Sequence, residues 1–416
     1  MERIALYSQD THGLGRLRRN IAIAKALAGG EPRSILLISG AGEAAVLKLP
    51  PGVDTLTLPG LGAADGGRGL GIGTDALLQV RSEVLRSALA AFEPDVLIVD
   101  RVPTGIGGEL EPCFDVLHEM GTRLVLGLPE VLGDSRRVRA DWSRDSYDVV
   151  RRHYDAVWVY GDRNVFDPVD DCGMPRDIAR MVRHTGYLDG YGPGPGAAER
   201  ERALRDEHHL GDGPVCVCLA GGNDEGVRLA ETFARTPLPA GTTGVILTGP
   251  FIDAEDRSGL DALAAGRDDL HVIDILPDAD TLIWMADQVI AMGGYHTTCE
   301  ALAAGKRALI VPSADPRPDQ LIRAERLADL GAVDLMLHED LTPAALGAWV
   351  AGGPRPPEAF SGAIDTGGLR RLPVLLDELA APAEVVAPSR RLASGWSPRR
   401  REGAPATTVA AAGAAG

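Results

Sequence analysis

Between Gly293 and Gly305 the chain reads GGYHTTCEALAAG, a stretch whose residue types could grip a nucleotide. Gly293 and Gly294 let the backbone turn tightly and approach a ligand closely. If a helix starts there, the first N–H groups, near Tyr295, His296, Thr297 and Thr298, lack intrahelical partners. They carry partial positive charge, which suits phosphate. Glu300 stands four residues after His296 and so on the same helical face. A carboxylate there repels phosphate but accepts hydrogen bonds from a ribose diol. A Gly-Gly step before a helix also serves tight packing alone. Further along, Asp319 and Gln320 open another helical stretch through Leu321, Ala324, Leu327 and Leu330. Near the amino terminus, Gly13, Gly15 and Arg16 form a second glycine-rich loop, with His12 beside it.

These residues need elements to place them. Apolar Val289–Met292 precedes the glycine pair and Ala308–Val311 follows the helix, which together predict one βαβ unit. The loops at Gly294 and Asp319 then open on one sheet edge and can share a ligand. Further strands are expected at 4–7, 35–39, 96–99, 124–128 and 157–160, with helices between them at 17–27, 77–92 and 144–153. The alternation predicts an α/β fold with a doubly wound parallel sheet. Gly190 to Gly196, reading GYGPGPG, breaks the pattern as a linker would. A second series starts at 215–219 and runs through 245–248, 271–275, 289–292 and 308–311. The expected organisation is a Rossmann-like domain over 1–189, another over 190–365, a helix over 366–386 returning to the first, and a disordered tail over 387–416.

The Gly293–Gly305 block, with the strand ending in Pro312 and the Asp319-Gln320 step, resembles the donor-binding half of GT-B glycosyltransferases. The likeness is greatest to the MurG-like group that uses UDP-N-acetylglucosamine. The resemblance implies two Rossmann-like domains facing a cleft. It places Gly294, Tyr295, His296, Thr297 and Thr298 at the donor diphosphate, Glu300 at the ribose hydroxyls, and Asp319 and Gln320 at the donor sugar. Ile275 and Leu276 would begin the stretch whose backbone pairs with the uracil edge. Ala220-Gly221-Gly222-Asn223-Asp224 stands where that pattern has a Gly-Gly-Ser-Gln-Gly loop, so Gly222 and Asn223 would line the donor cleft. Asn223 or Asp224 serves equally well as a helix N-cap. The segment GLGRLRRNIAIAKAL resembles a set of bacterial predicted glycosyltransferases that usually carry His where this chain has Arg16. Gly15 and Arg16 would then face the cleft. Arginine cannot serve as a general base, but it could steady a leaving diphosphate.

An inverting transfer needs a group to take the acceptor's proton. The candidates are His12, in the same loop, and Asp100, which ends the apolar run Val96–Val99; Asp10 and Glu130 are outside candidates. An Asp in Asp100's position also commonly shapes a turn. The expected function is metal-independent, inverting glycosyl transfer from a UDP-linked or other nucleotide-diphosphate sugar to an acceptor hydroxyl or amine. No cofactor is expected, and no DxD-like pair lies beside the donor loop. A 2-epimerase of the same fold, or a non-catalytic sugar-nucleotide-binding partner protein, are the alternatives.

With 416 residues and a formal charge of -17, the chain is long enough for two cores and too acidic for broad nucleic-acid binding. Arginines 390, 391, 399, 400 and 401 make the tail basic, so peripheral membrane contact is conceivable there. No leader or membrane-spanning run is expected, and the five cysteines form no CxxC pair. The expected setting is cytoplasmic, as a monomer or homodimer. Cys216 and Cys218 are read as buried thiols on opposite faces of a strand. The acceptor, small-molecule or lipid-linked, would be chosen by the loops 59–74 and 105–113, which carry no decisive motif.

Overall fold

The computed structural model describes residues 2–8, 15–30, 32–40, 49–61, 70–134, 138, 142, 144–189, 192, 194, 196–221, 223–249, 252–274, 276, 279–313, 318–354 and 364–380. Two parallel sheets carry the chain. The first has seven strands: β1 (Glu2–Ser8), β2 (Arg33–Ser39), β3 (Val53–Thr57), β4 (Val96–Asp100), β5 (Arg123–Pro129), β6 (Ala156–Tyr160) and β7 (Val182–His184). Their order is β3-β2-β1-β4-β5-β6-β7. The second has six: β8 (Val215–Leu219), β9 (Thr243–Leu247), β10 (Leu270–Ile273), β11 (Gln288–Ala291), β12 (Arg307–Ile310) and β13 (Asp334–Leu335), ordered β10-β9-β8-β11-β12-β13. Every described pairing between named strands is parallel. This is the GT-B arrangement of two Rossmann-like halves. The strand order reverses between β1 and β4 in one half and between β8 and β11 in the other, and such switch points are where α/β sheets bind ligands.

Apolar side chains alternate across each strand into cores on both sheet faces. In β1, Ala5 and Tyr7 join one core, while Ile4 and Leu6 join the other. The central strands are buried throughout, as in β4 and β6, which parallel sheets covered by helices require. The helix Gly368–Ala380 brings Leu369, Leu372, Leu375 and Leu376 into the core under β1, beside Leu17, Ile21 and Ala24 of the helix Gly15–Ala28.

Cys216 and Cys218 are buried and free, as read, but they share one face and one core with Phe233. A spacing of two is one full pleat period, so the expectation of opposite faces was mistaken. In the helix Pro318–Asp329, the inward face is Gln320, Arg323, Ala324 and Leu327; Leu330 is exposed. The tail 387–416, residues Asp10 and His12, Gly222 and Ile275 lie outside the described residues.

Candidate functional site

The site grows from the second switch point. β8 and β11 pair side by side, from Gln288 opposite Cys216 to Ala291 opposite Leu219. Their following loops therefore leave the same edge of the sheet. After β8, Asn223 caps the helix Asp224–Ala234, its Oδ1 accepting from Gly226 N at 3.2 Å. A Cβ on Gly226 would lie 2.1 Å from the Gly221 oxygen, so this turn and helix can pack only as glycines. Asn223 thus takes the capping role the residues allowed, and its side-chain oxygen is committed there.

After β11, Gly293 adopts φ +78°, and a Cβ there would lie 2.7 Å from Ile310 Cγ2. Both facts call for glycine. The helix Tyr295–Ala303 follows, with Gly294 at its N-cap and no side-chain cap. Its leading N–H groups are left for a ligand or solvent. Tyr295, His296 and Thr297 are half-buried at this end, and Thr298 is buried with its Oγ1 unpartnered.

One turn on, Glu300 is 4% exposed. His296 Nε2 lies 2.8 Å from its Oε1. Burial works to raise the Glu300 carboxyl, but the charge and hydrogen bond of His296 outweigh it and hold the carboxyl low. Burial likewise opposes the His296 cation, and Glu300 more than offsets it. A third group joins them. Asp280, at the exposed rim on the helix Ala279–Met285, is pushed up to about 6, first by the protein around it and then by the Glu300 charge. Arg18, from the first half, acts electrostatically on all three. Asp280, His296 and Glu300 each offer a ligand atom within 4.8 Å of one another, so this trio could hold a metal ion. Nothing in the local sequence pairs Asp280 with Glu300, because the helix bearing it is a separate element.

Asp319 is half-buried, 3.7 Å from Arg323 through Oδ2. Gln320 is buried, with Oε1 accepting from Ser313 N at 3.2 Å, so it braces the loop after β12. Leu276 is partly buried against the second half's core. Gly15 opens the first helix, and Arg16 on it is half-buried with its carbonyl oxygen accepting from Asn20 at 3.1 Å.

The two described base candidates are engaged. Asp100 is 2% exposed, and Arg19 Nη2 meets its two oxygens at 2.6 and 2.8 Å. The backbone turns there, with Arg101 at φ +67°. The structure places Asp100 in a buried ion pair with Arg19, which stabilises its ionised form and makes it a poor proton acceptor. Glu130 is likewise paired, with Arg323 of the other half. Sequence reasoning passed over both arginines. Arg323 left a legible sign, a cation on the inward stripe Gln320-Arg323-Ala324-Leu327.

In the first half, Tyr7, Arg81 and Glu109 form a buried network: Arg81 meets Glu109 at 2.6 and 2.8 Å, and the Tyr7 hydroxyl donates to Glu109 and accepts from Ile106 N at 3.2 Å. This pins the loop after β4. A separate hollow of about 460 Å³, lined by Asp162, Asn164, His184 and Asp365 among others, holds none of the expected site residues.

Residues 237–357 match the glycosyltransferase family 28 C-terminal domain. The UDP-N-acetylglucosamine--N-acetylmuramyl-(pentapeptide) pyrophosphoryl-undecaprenol N-acetylglucosamine transferase of Burkholderia vietnamiensis (strain G4 / LMG 22486) is 31% identical over 159 residues, 37% of this chain and 43% of that protein. The chain spans less than half the length of the curated relatives it matches. Acinetobacter baumannii MurG aligns at TM-score 0.55 and 14% identity, over 91% of this chain and 100% of that one. UDP-GlcNAc 2-epimerase from Neisseria meningitidis, bound to UDP-GlcNAc, aligns at 0.57 and 12%, over 91% and 99%. At such identities these two share the fold alone. Residues 237–357 thus match a family 28 C-terminal domain, and the two halves together have the GT-B fold.

Proposed function

We propose that the chain transfers a sugar from a UDP-linked donor to a hydroxyl or amine of a small-molecule or lipid-linked acceptor, with inversion and without a required metal. The observation that carries this reading is the Gly293 turn at the β8–β11 switch point. There an uncapped helix end stands one turn from the buried Glu300 carboxylate. Helix N–H groups match a diphosphate and stabilise it as it departs. Glu300, with His296, matches the ribose diol. Asp319 matches a donor-sugar hydroxyl. The curated relatives supply the donor class, being named as UDP-N-acetylglucosamine transferases.

Metal independence rests on charge balance. His296 and Arg18 already act on Asp280 and Glu300, so a cation meets competition in that trio. With Asp100 and Glu130 paired, His12, four residues after the end of β1, is the base we assign. The 2-epimerase reading keeps one specific support, the equal fold likeness to an epimerase. No described helix is long and apolar enough to cross a membrane.

A thermal-shift screen of nucleotide sugars, followed by incubation of the best donor alone, tests the proposal. Stabilisation by UDP-sugars with no C2 isomer formed is the expected result. Accumulation of an isomer without acceptor points to the epimerase, and no stabilisation by any nucleotide sugar overturns the site. Retained activity in excess EDTA checks the metal-free reading. A His12→Ala variant with full transfer removes His12 as base.

A further inference from the structure

Arg323 is 1% exposed on the helix Pro318–Asp329 of the second half, and its partner Glu130, 0% exposed, follows β5 of the first. Nε donates to Glu130 Oε1. Nη1 donates to the Gly293 carbonyl oxygen at 2.9 Å. Nη2 faces Asp319 Oδ2 at 3.7 Å. One guanidinium thus joins an acid of the first half to the backbone of the glycine turn in the second.

The consequence follows from peptide geometry. In a trans peptide the C=O and N–H point in opposite directions. Holding the Gly293 oxygen toward buried Arg323 turns the Gly294 N–H the other way. Open space lies around Gly294, where a Cβ would meet no atom within 4 Å. The next residue is clasped as well. Arg323 Cζ lies 5.6 Å and Arg19 Cζ 5.5 Å from the Tyr295 ring centroid, and the Tyr295 hydroxyl accepts from Leu188 N at 3.2 Å. Arg19 is itself anchored on Asp100. Two edge acids of the first sheet therefore set the start of the second half's helix.

We propose that Arg323, held across the two halves by Glu130, is a positioning residue that aims the Gly293–Gly294 peptide N–H at the donor diphosphate. Stability alone explains the pair poorly. Buried ion pairs are seldom better than apolar packing, and Glu130 Oε2 is left without a hydrogen-bond partner. A fixed dipole aimed at developing charge is what such a site needs.

The inference rests on the nucleotide-sugar reading above, and the test separates the two. UDP and uridine affinities are measured for the wild type, Arg323→Met and the isosteric Glu130→Gln, with folding checked by circular dichroism. Donor KM and kcat are measured alongside. Arg323→Met is expected to weaken UDP about tenfold while leaving uridine within about twofold, because uridine has no phosphate to meet the turn. Donor KM rises accordingly. Glu130→Gln shifts UDP in the same direction, and the double variant is no worse than Arg323→Met alone, since both act through one contact. UDP affinity unchanged in either folded variant, or UDP and uridine weakened equally, overturns the positioning role while leaving the donor site standing. A wild type that binds neither ligand overturns the functional reading and this inference with it.

Discussion

Glu300 shows how one buried carboxylate can be kept ready for a neutral ligand. His296 holds it ionised, so it remains an acceptor despite its burial. If Glu300 accepts from the two ribose hydroxyls as proposed, Glu300→Ala should weaken UDP binding at least about tenfold by calorimetry. Unchanged affinity would remove the site as drawn. Asp280 adds a pH dependence whose sign can be worked out. Its carboxyl titrates near about 6, so it is neutral below that and negative above. The phosphates of a UDP-sugar do not titrate in this window, and the Glu300 carboxylate favours the charged form of His296 against the burial that opposes it. Affinity for UDP-N-acetylglucosamine should therefore fall a few-fold as pH rises from about 5 to about 6.5. Asp280→Asn should flatten that profile. An unchanged slope in the variant would show that Asp280 does not face the donor.

Among the elements, the turn after β11 is the most constrained. Gly293→Ala must place a Cβ at φ +78° and against Ile310 Cγ2. A loss of about 1–3 kcal/mol in urea unfolding is expected, with weaker nucleotide binding; a variant of wild-type stability would mean the turn is not as described. The same element was readable early, because β11 and β12 are short apolar runs buried on both sides and bracketed by glycine. Three edge strands were not, although the fourth, β10, overlaps the run expected at 271–275. β3 reads VDTLT with no buried residue, β7 is only Val182–His184, and β13 only two residues. Half-exposed edges need not repeat the apolar pattern, so pattern reading passes over them.

Across the whole molecule, the helix Gly368–Ala380 lies far along the chain from the sheet it covers. Leu372 and Leu376 are fully buried there beside β1 and the first helix. Leu372→Ala should cost about 2–5 kcal/mol, read from the urea midpoint of the intact chain. A negligible change would mean the helix contributes little to that core. The linkage runs the other way at Arg323, whose contacts reach Glu130 and Gly293 at once.

What the chain determined by itself is local: the glycine turn, the Glu300 register on its helix, the central strands and the alternation that predicts two parallel sheets. Each depends on residues a few positions apart, where backbone geometry dictates which side chains share a face. Tertiary structure alone decided which charges meet. Arg19 and Asp100 are 81 residues apart and Arg323 and Glu130 are 193 apart, and their pairing depends on strand order and on how the second half's helix abuts the first sheet. That is why Asp100 read as a base from its place at a strand end, and why folding paired it, like Glu130, with an arginine beside the Gly293 turn.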